Sequence, residues 1–156
     1  MSVLTGGEKY MSKFESFEIA MLIKEVYSST MNIVSNSLKD SGLTHQQIMI
    51  IKLVAHNKEV NLSRLCEEMS LSKGTVSGIV QRLEDIGYIE KVKYENDKRN
   101  TYVRFSKRGL EFANEFRNKI NESFDKIFEN FTEEEVKEVK EGLLKLKKKI
   151  KENENK

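Results

Sequence analysis

From Lys73 to Ile86 the chain reads KGTVSGIVQRLEDI, and one face of that stretch carries residue types suited to touching nucleic acid. Val76, Ile79, Val80 and Leu83 recur at steps of three and four, the spacing of a buried helical stripe. Lys73, Gly74, Thr75, Ser77, Gly78, Gln81 and Arg82 are left near or on the outer face. Short side chains there permit close approach, while hydroxyls, amides and guanidinium groups contact base edges and phosphates. Gly inside a helix costs about 0.5–1 kcal/mol against Ala, so two on this face have two readings, close contact with a partner or simple local tolerance. Ser72 can cap the helix by accepting from its free N–H groups, and Gly87 supplies a left-handed stop.

Upstream, Leu62, Leu65, Cys66 and Met69 fall on one side of a short helix from Leu62 to Met69. Ser70-Leu71-Ser72 turns the chain, with Leu71 filling the angle, and the pair reads as a helix-turn-helix. Downstream, Ile89 to Tyr94 and Thr101 to Phe105 alternate in character around the polar run Glu95-Asn96-Asp97-Lys98-Arg99-Asn100. That pattern predicts a β-hairpin with a charged tip, with Val92 and Tyr94 sharing an inward face with Val103 and Phe105. Helix-turn-helix plus hairpin makes a winged helix. Asp97, Lys98 and Arg99, in the loop, join the candidate DNA contacts.

The flanks are amphipathic. Phe14, Phe17, Met21, Leu22, Val26, Ile33, Val34 and Leu38 spread too widely around a helix for one narrow stripe, which implies burial on more than one side. Ser41-Gly42 ends that helix. Thr44 and Gln47 form a capping box for the next, which carries Ile48, Ile51, Leu53, Val54 and Ala55. After the hairpin, Ser106 can cap a helix bearing Ala113, Phe116, Ile120, Phe124, Ile127 and Phe131. Thr132 to Glu135 is a second capping box, opening a helix with Val136, Val139, Leu143, Leu146 and Ile150, acidic at its start and lysine-rich at its end. An intramolecular hairpin could bury one of these stripes, but a winged-helix core has little room for three long helices. The division expected is a flexible N-terminus at 1–12, dimerisation helices at 13–41 and 107–153, and a winged helix-turn-helix at 43–106, in a mainly α fold of α+β class.

Composition agrees. The 156 residues include no Pro, 33% are charged, and the size suits one domain. A net charge of +2 says little, but its distribution says more. Residues 1–71 carry 7 Lys/Arg against 8 Asp/Glu, residues 72–108 carry 9 against 5, and residues 109–156 carry 11 against 12. The whole excess lies on the candidate helix and hairpin, as phosphate contact requires. No run of apolar residues is long enough to span a membrane, and no apolar secretory segment opens the chain, so a cytoplasmic protein is expected. No phosphate-binding glycine loop or nucleophile motif occurs, so no catalytic residue, cofactor or enzymatic activity is expected. His45 and His56 lie 11 residues apart on one helix, about 16 Å along its axis, too far to share one metal ion without other ligands. No metal site is expected. Cys66, the single cysteine, reads as a packing residue, and a sensing thiol would need exposure and a lowered pKa.

At three places the sequence resembles the MarR (multiple antibiotic resistance regulator) family of bacterial transcription factors. Leu43-Thr44-His45-Gln46-Gln47 is similar to the family's Leu-Thr-x-x-Gln opening of the helix before the helix-turn-helix. Leu71 to Ser77, continuing through Arg82-Leu83-Glu84 to Gly87, resembles its recognition helix. Asp97-Lys98-Arg99, with Val103 to Ser106 and Gly109 further on, resembles its wing signature Asp-x-Arg and the strand and helix start beyond the wing. Two departures stand out: Ser70 occupies a turn position usually held by Gly, and Gly78 one that often carries a longer polar or basic side chain.

The resemblance implies a homodimer whose two recognition helices meet an inverted repeat about one helical turn apart. It also implies a repressor rather than an activator, with Arg99 entering an A·T-rich minor groove. A small amphipathic or aromatic effector between the dimerisation helices and the winged helix is a further implication. Tyr27, Met31 and His45 are the candidate lining residues, with ordinary core or surface roles equally open to them. Some relatives sense metals or oxidants, so a metal- or redox-responsive regulator is one alternative. A winged-helix module that contacts protein through the same face is the other.

Overall fold

The computed structural model describes residues 13–156. The expected flexible segment at 1–12 lies outside the described residues, as does the side chain of Phe14. Six helices and three strands occur in the order α1 (Lys13–Ser37), α2 (His45–Asn57), β1 (Glu59–Asn61), α3 (Leu62–Met69), α4 (Lys73–Ile86), β2 (Ile89–Tyr94), β3 (Asp97–Phe105), α5 (Lys107–Asp125) and α6 (Glu133–Glu154). A 3-10 turn at Lys39–Ser41 with left-handed Gly42 closes the first helical segment, and another at Lys126–Phe128 succeeds α5. The fold is mainly α with a small antiparallel sheet, the winged-helix arrangement.

Helix boundaries are set by the caps. Thr44 accepts from the Gln47 N–H while the Gln47 side chain accepts from the Thr44 N–H, completing the expected capping box. Thr132 and Glu135 repeat it at α6, and Ser106 caps α5 through the Gly109 N–H. Asn61 caps α3, a role not evident from the sequence. The core gathers Val34 and Leu38 from α1, Ile48, Ile50, Ile51 and Val54 from α2, and Leu65 from α3. To these it adds Val76, Ile79, Val80 and Leu83 from α4, Val60, Ile89 and Val103 from the sheet, and Phe112 and Ile120 from α5. Each such side chain contributes about 1.5–3 kcal/mol when fully buried, so the inner stripe of α4 is a large share of its anchorage.

The hairpin departs from expectation. Only Glu95 and Asn96 form the turn, and β3 begins at Asp97. Val92 pairs with Tyr102 but Tyr94 pairs with Asp97, so the register shifts and extra β3 residues are accommodated between the two pairs. Arg99 therefore lies inside β3 rather than at a loop tip. Val92 and Tyr94 do not face inward with Val103 and Phe105, because a residue shares its face with its cross-strand partner. Val92 sits opposite Tyr102, and the Tyr94 ring meets the Tyr102 ring edge-on at 5.3 Å between centroids. Ile89 is the buried partner of Phe105 instead. A third strand, β1, pairs antiparallel with β3, giving the order β1-β3-β2.

Other expectations need smaller corrections. Ala55 is exposed, Cys66 is half-buried against the core, and the α5 stripe breaks after Asp125, leaving Phe131 exposed beyond the 3-10 turn. Phe112 is buried and was not in the predicted stripe. It stacks on Tyr88 at 4.4 Å and on Phe116 at 4.5 Å between centroids. The flanking helices stay largely bare: Phe17 is 66% exposed and Leu143 55%, and α6 buries no residue.

Two backbone positions give opposite stability predictions. A Cβ on Gly109 would lie 1.6 Å from the Tyr88 carbonyl oxygen, so Gly109→Ala should destabilise by about 3 kcal/mol or more in chemical denaturation. Ser70 is left-handed at φ 52°, in the turn where the resemblance marks Gly as usual. Relief of about 1–2 kcal/mol of steric cost, less about 0.4–1 of added unfolded-state entropy, makes Ser70→Gly stabilising by about 0.5–1 kcal/mol.

Candidate nucleic-acid interface

The outer face of α4 is held open by what lies beneath it. Val76, Val80 and Leu83 have no solvent exposure, while Lys73, Gly74, Thr75, Gly78, Gln81 and Arg82 are exposed and Ser77 is half-buried. Ser72 caps the helix by accepting from the Thr75 N–H at 3.3 Å, and its hydroxyl lies 2.9 Å from that of Thr75. Gly87, at φ 88°, ends the helix in the left-handed conformation that Gly adopts without steric cost. Around Gly74 and Gly78 a Cβ would meet nothing within 4 Å. Nothing in the fold itself requires glycine at either place.

Lys73 and Arg82 on α4, and Lys98 and Arg99 on β3, have exposed side chains with no ion pair among the described residues. Cations left in solvent in this way are available to phosphates. Gln81 differs. Its carbonyl accepts from Lys91 Nζ at 2.6 Å, and its amide nitrogen donates to Asp85 at 2.9 Å and to Glu84 at 3.3 Å. Reaching a base would require exchanging these bonds. Lys91, absent from the sequence-derived set, thus joins β2 to the outer face of α4, and also pairs with Glu84 at 3.5 Å.

The wing is shaped around Asp97. Its carboxylate accepts from the Asn100 amide at 3.0 Å and from the Tyr102 hydroxyl at 2.8 Å. With those partners, and with the backbone of Arg99 and Asn100, Asp97 orders the irregular stretch of β3 without engaging the Arg99 guanidinium. Tyr94 ties the hairpin to β1 by donating to Glu59 at 2.6 Å, and Arg104 bridges to Glu90 at 2.7 Å. Neither Asn100 nor Tyr102 was singled out from sequence. The register shift that brings them onto Asp97 is a tertiary feature.

The effector candidates lie on α1 and α2. Tyr27 is 54% exposed on α1, Met31 is buried one turn later, and His45 is half-buried in the first turn of α2. A cavity of about 600 Å³ opens between the C-terminal half of α2, the end of β3 and α5. Its lining includes Lys52, His56, Lys58, Arg104 and Arg117 above apolar Ile51, Val54, Phe105 and Ile120. Lys52 is hydrogen-bonded there to Asn121. Among the described residues no group of three or more His, Cys, Asp and Glu side chains could hold a metal ion.

A three-helix core carrying a capped outer helix and a β-hairpin beside it defines a winged-helix protein. The pattern of the MarR family matches residues 43–101, the span from the start of α2 to the middle of β3. The chain is 27% identical over 137 residues to the HTH-type transcriptional regulator FarR of Neisseria gonorrhoeae, covering 88% of this chain and 92% of that one. It is 26% identical to the homoprotocatechuate degradative operon repressor of Escherichia coli, covering 80% of this chain and 83% of that one. A mutant MarR from E. coli complexed with operator DNA has the same fold at a TM-score of 0.75 and 19% identity, over 86% of this chain and 98% of that one. Along most of its length the chain is thus similar to winged-helix transcriptional regulators, and across residues 43–101 it carries the MarR family pattern.

The wing network makes a prediction in pH. Asn100 and then Tyr102 hold the Asp97 carboxyl below its ordinary value of 3.8, so its contribution is complete above 3.8 and lost as pH falls through the lowered value. Hydrogen bonding to Glu59 and to Asp97 raises the Tyr94 and Tyr102 phenols above 10.0, so theirs is complete below 10.0 and lost as pH rises through the raised values. Absorbance titration of the five tyrosines should show late-ionising phenols, and Asp97→Asn should return Tyr102 toward 10.0 without moving Tyr94. A titration unaltered by Asp97→Asn would mean that the Asp97–Tyr102 bond does not form.

Proposed function

We propose that this protein is a homodimeric, sequence-specific DNA-binding regulator that represses transcription by occupying an A·T-rich inverted repeat. The observation that carries the reading is the outer face of α4: small, polar and cationic, with two glycines whose Cβ positions open on solvent. Close approach by something outside the protein gives such glycines a purpose that the fold itself does not. Residues 43–106 form the DNA-binding unit in this reading, and 13–41 with 107–153 form the dimerisation helices. The bare apolar residues of α1 and α6, Phe17, Val26, Leu143 and Ile150 among them, support a second copy as the covering surface. Ser72, Lys73, Thr75, Ser77, Gln81 and Arg82 would lie at the major groove, while Lys98 and Arg99 would reach the adjacent backbone and minor groove, with Asp97 shaping the strand that carries them.

We further propose that a small amphipathic molecule with an anionic group releases the repressor. The cavity between α2, β3 and α5 supports that class, since cations rim it above an apolar floor. Tyr27, Met31 and His45 remain the candidates that the family resemblance suggests, at a separate place. The proposal treats the protein as non-enzymatic and cytoplasmic. Among the described residues no helix is long and apolar enough to cross a membrane. Half-burial of Cys66 against the core favours packing over oxidant sensing.

Selection of bound duplexes from a random pool tests the reading, followed by anisotropy titration of the winning duplex at two salt concentrations. Enrichment of an inverted repeat, with affinity falling steeply as salt rises, is the expected result. Salt-insensitive binding to a protein partner and no enriched duplex would favour the protein-interaction module. Arg99→Ala should weaken binding by about 1 kcal/mol or more and flatten preference at the A·T-rich positions. Gly78→Ala should act in opposite directions, stabilising the free protein by about 0.5–1 kcal/mol while weakening the DNA complex. A gain in stability with unchanged affinity would remove close approach as the reason for the glycine.

A further inference from the structure

The two helices that meet at Tyr88 carry charges poorly matched to their own ends. The last turn of α4 holds Glu84 and Asp85 and no cation, against the negative end of its dipole. The first turn of α5 holds no acid and opens with Lys107 and Arg108, against the positive end of its own dipole. Each terminus suits the other helix better than its own. The fold joins them. Arg108 Nη1 donates to the Ile86 carbonyl at 2.9 Å, and its guanidinium carbon lies 5.3 Å from the centre of the Tyr88 ring. The Ser106 hydroxyl donates to the Gly87 carbonyl, and the Ser106 N–H donates to the Tyr88 carbonyl at 3.1 Å. Three successive carbonyls at the end of α4 thus take their donors from the start of α5.

We propose that Arg108 is a positioning residue for DNA recognition. By clamping the end of α4 to α5 it fixes the outer face of α4 relative to the dimerisation helices, and so sets the spacing between half-sites that the dimer accepts. The proposal rests on the dimeric, inverted-repeat reading above. Ser106 and Gly109 contribute to the same junction, but they also build the cap of α5 and the close contact with Tyr88, so replacing them disturbs the fold. Arg108 lies outside the core, with an exposed side chain whose partners are the α4 terminus and the Tyr88 ring. A planar guanidinium can bond a carbonyl while lying against an aromatic ring, which an ammonium does less well. Spacing is the sensitive readout, because each added base pair turns the second half-site by about a tenth of a helical turn relative to the first.

The test uses the full chain and duplexes carrying two copies of the selected half-site separated by spacers of graded length. Wild type, Arg108→Gln and Arg108→Lys are titrated on each, with thermal unfolding alongside. Wild type should favour one spacer by about tenfold over its neighbours, and Arg108→Gln should narrow that to about threefold or less while selecting the same half-site sequence. Arg108→Lys should fall between, and it carries the comparison if the Gln variant loses its unfolding transition. A wild-type spacer profile in Arg108→Gln overturns the role. So does an affinity loss of one factor at every spacer, which would mark Arg108 as merely stabilising. If wild type binds one half-site as well as any spaced pair, the dimeric reading fails and the proposal fails with it.

Discussion

α4 is held from one side only, as the proposed reading of DNA by its outer face requires, and the rest of this structure depends on that constraint. Val76, Ile79, Val80 and Leu83 bury the inner stripe of α4, while the polar contacts of the outer face are those of Gln81 with Lys91, Glu84 and Asp85 and of Ser72 with Thr75, among the described residues. Support must therefore come from below and from the ends. α2 and α3 supply the floor, Ser72 and Gly87 the caps, and residues 106–109 the clasp at the C-terminal end. Gly109 is dictated by this clasp, since the Tyr88 carbonyl occupies the space a side chain would need.

Periodic elements were legible in the sequence because their physics is local. The bounds of α3 and α4 agree with the expected Leu62–Met69 and the start near Lys73, and the Thr44 and Thr132 capping boxes form as read. The sheet was less legible. Glu59-Val60-Asn61 offers one apolar residue, too little for a strand signal, and its pairing with β3 comes from a contact distant in sequence. Asp97 to Asn100 read as a loop because four polar residues show no alternation, yet side-chain hydrogen bonds to Asp97 carry the strand through them. The register shift they impose is also why Val92 and Tyr94 were placed on the wrong face.

The candidate site divides the same way. Which residues line the outer face of α4 could be read from spacing, since burial of one stripe defines its opposite. Which of them are already engaged could not. Gln81 and Arg82 look alike in sequence as polar residues of one face, but Lys91 and Asp85 hold the first, whereas the second has no ion pair among the described residues. Arg108 was equally hidden: in its own helix it is an ill-placed cation, and its place makes sense only beside the carbonyl of Ile86.

Magnitudes decide which part of the interface yields when DNA arrives. α4 is anchored by several fully buried side chains, each contributing about 1.5–3 kcal/mol, and moving it would disturb the common core. The outer hairpin rests on hydrogen bonds among exposed or half-exposed groups, the Glu59–Tyr94 tie among them, and on the surface ion pairs Arg104–Glu90 and Lys91–Glu84, which solvent screens. The wing is thus the compliant element and α4 the rigid one. In the proposed dimer, a rigid α4 would fit only DNA whose half-sites lie at matching positions, whereas a compliant wing would track variation in minor-groove width. On that reading spacing selectivity falls to the helix and its junction with α5, and tolerance of groove shape to β2 and β3.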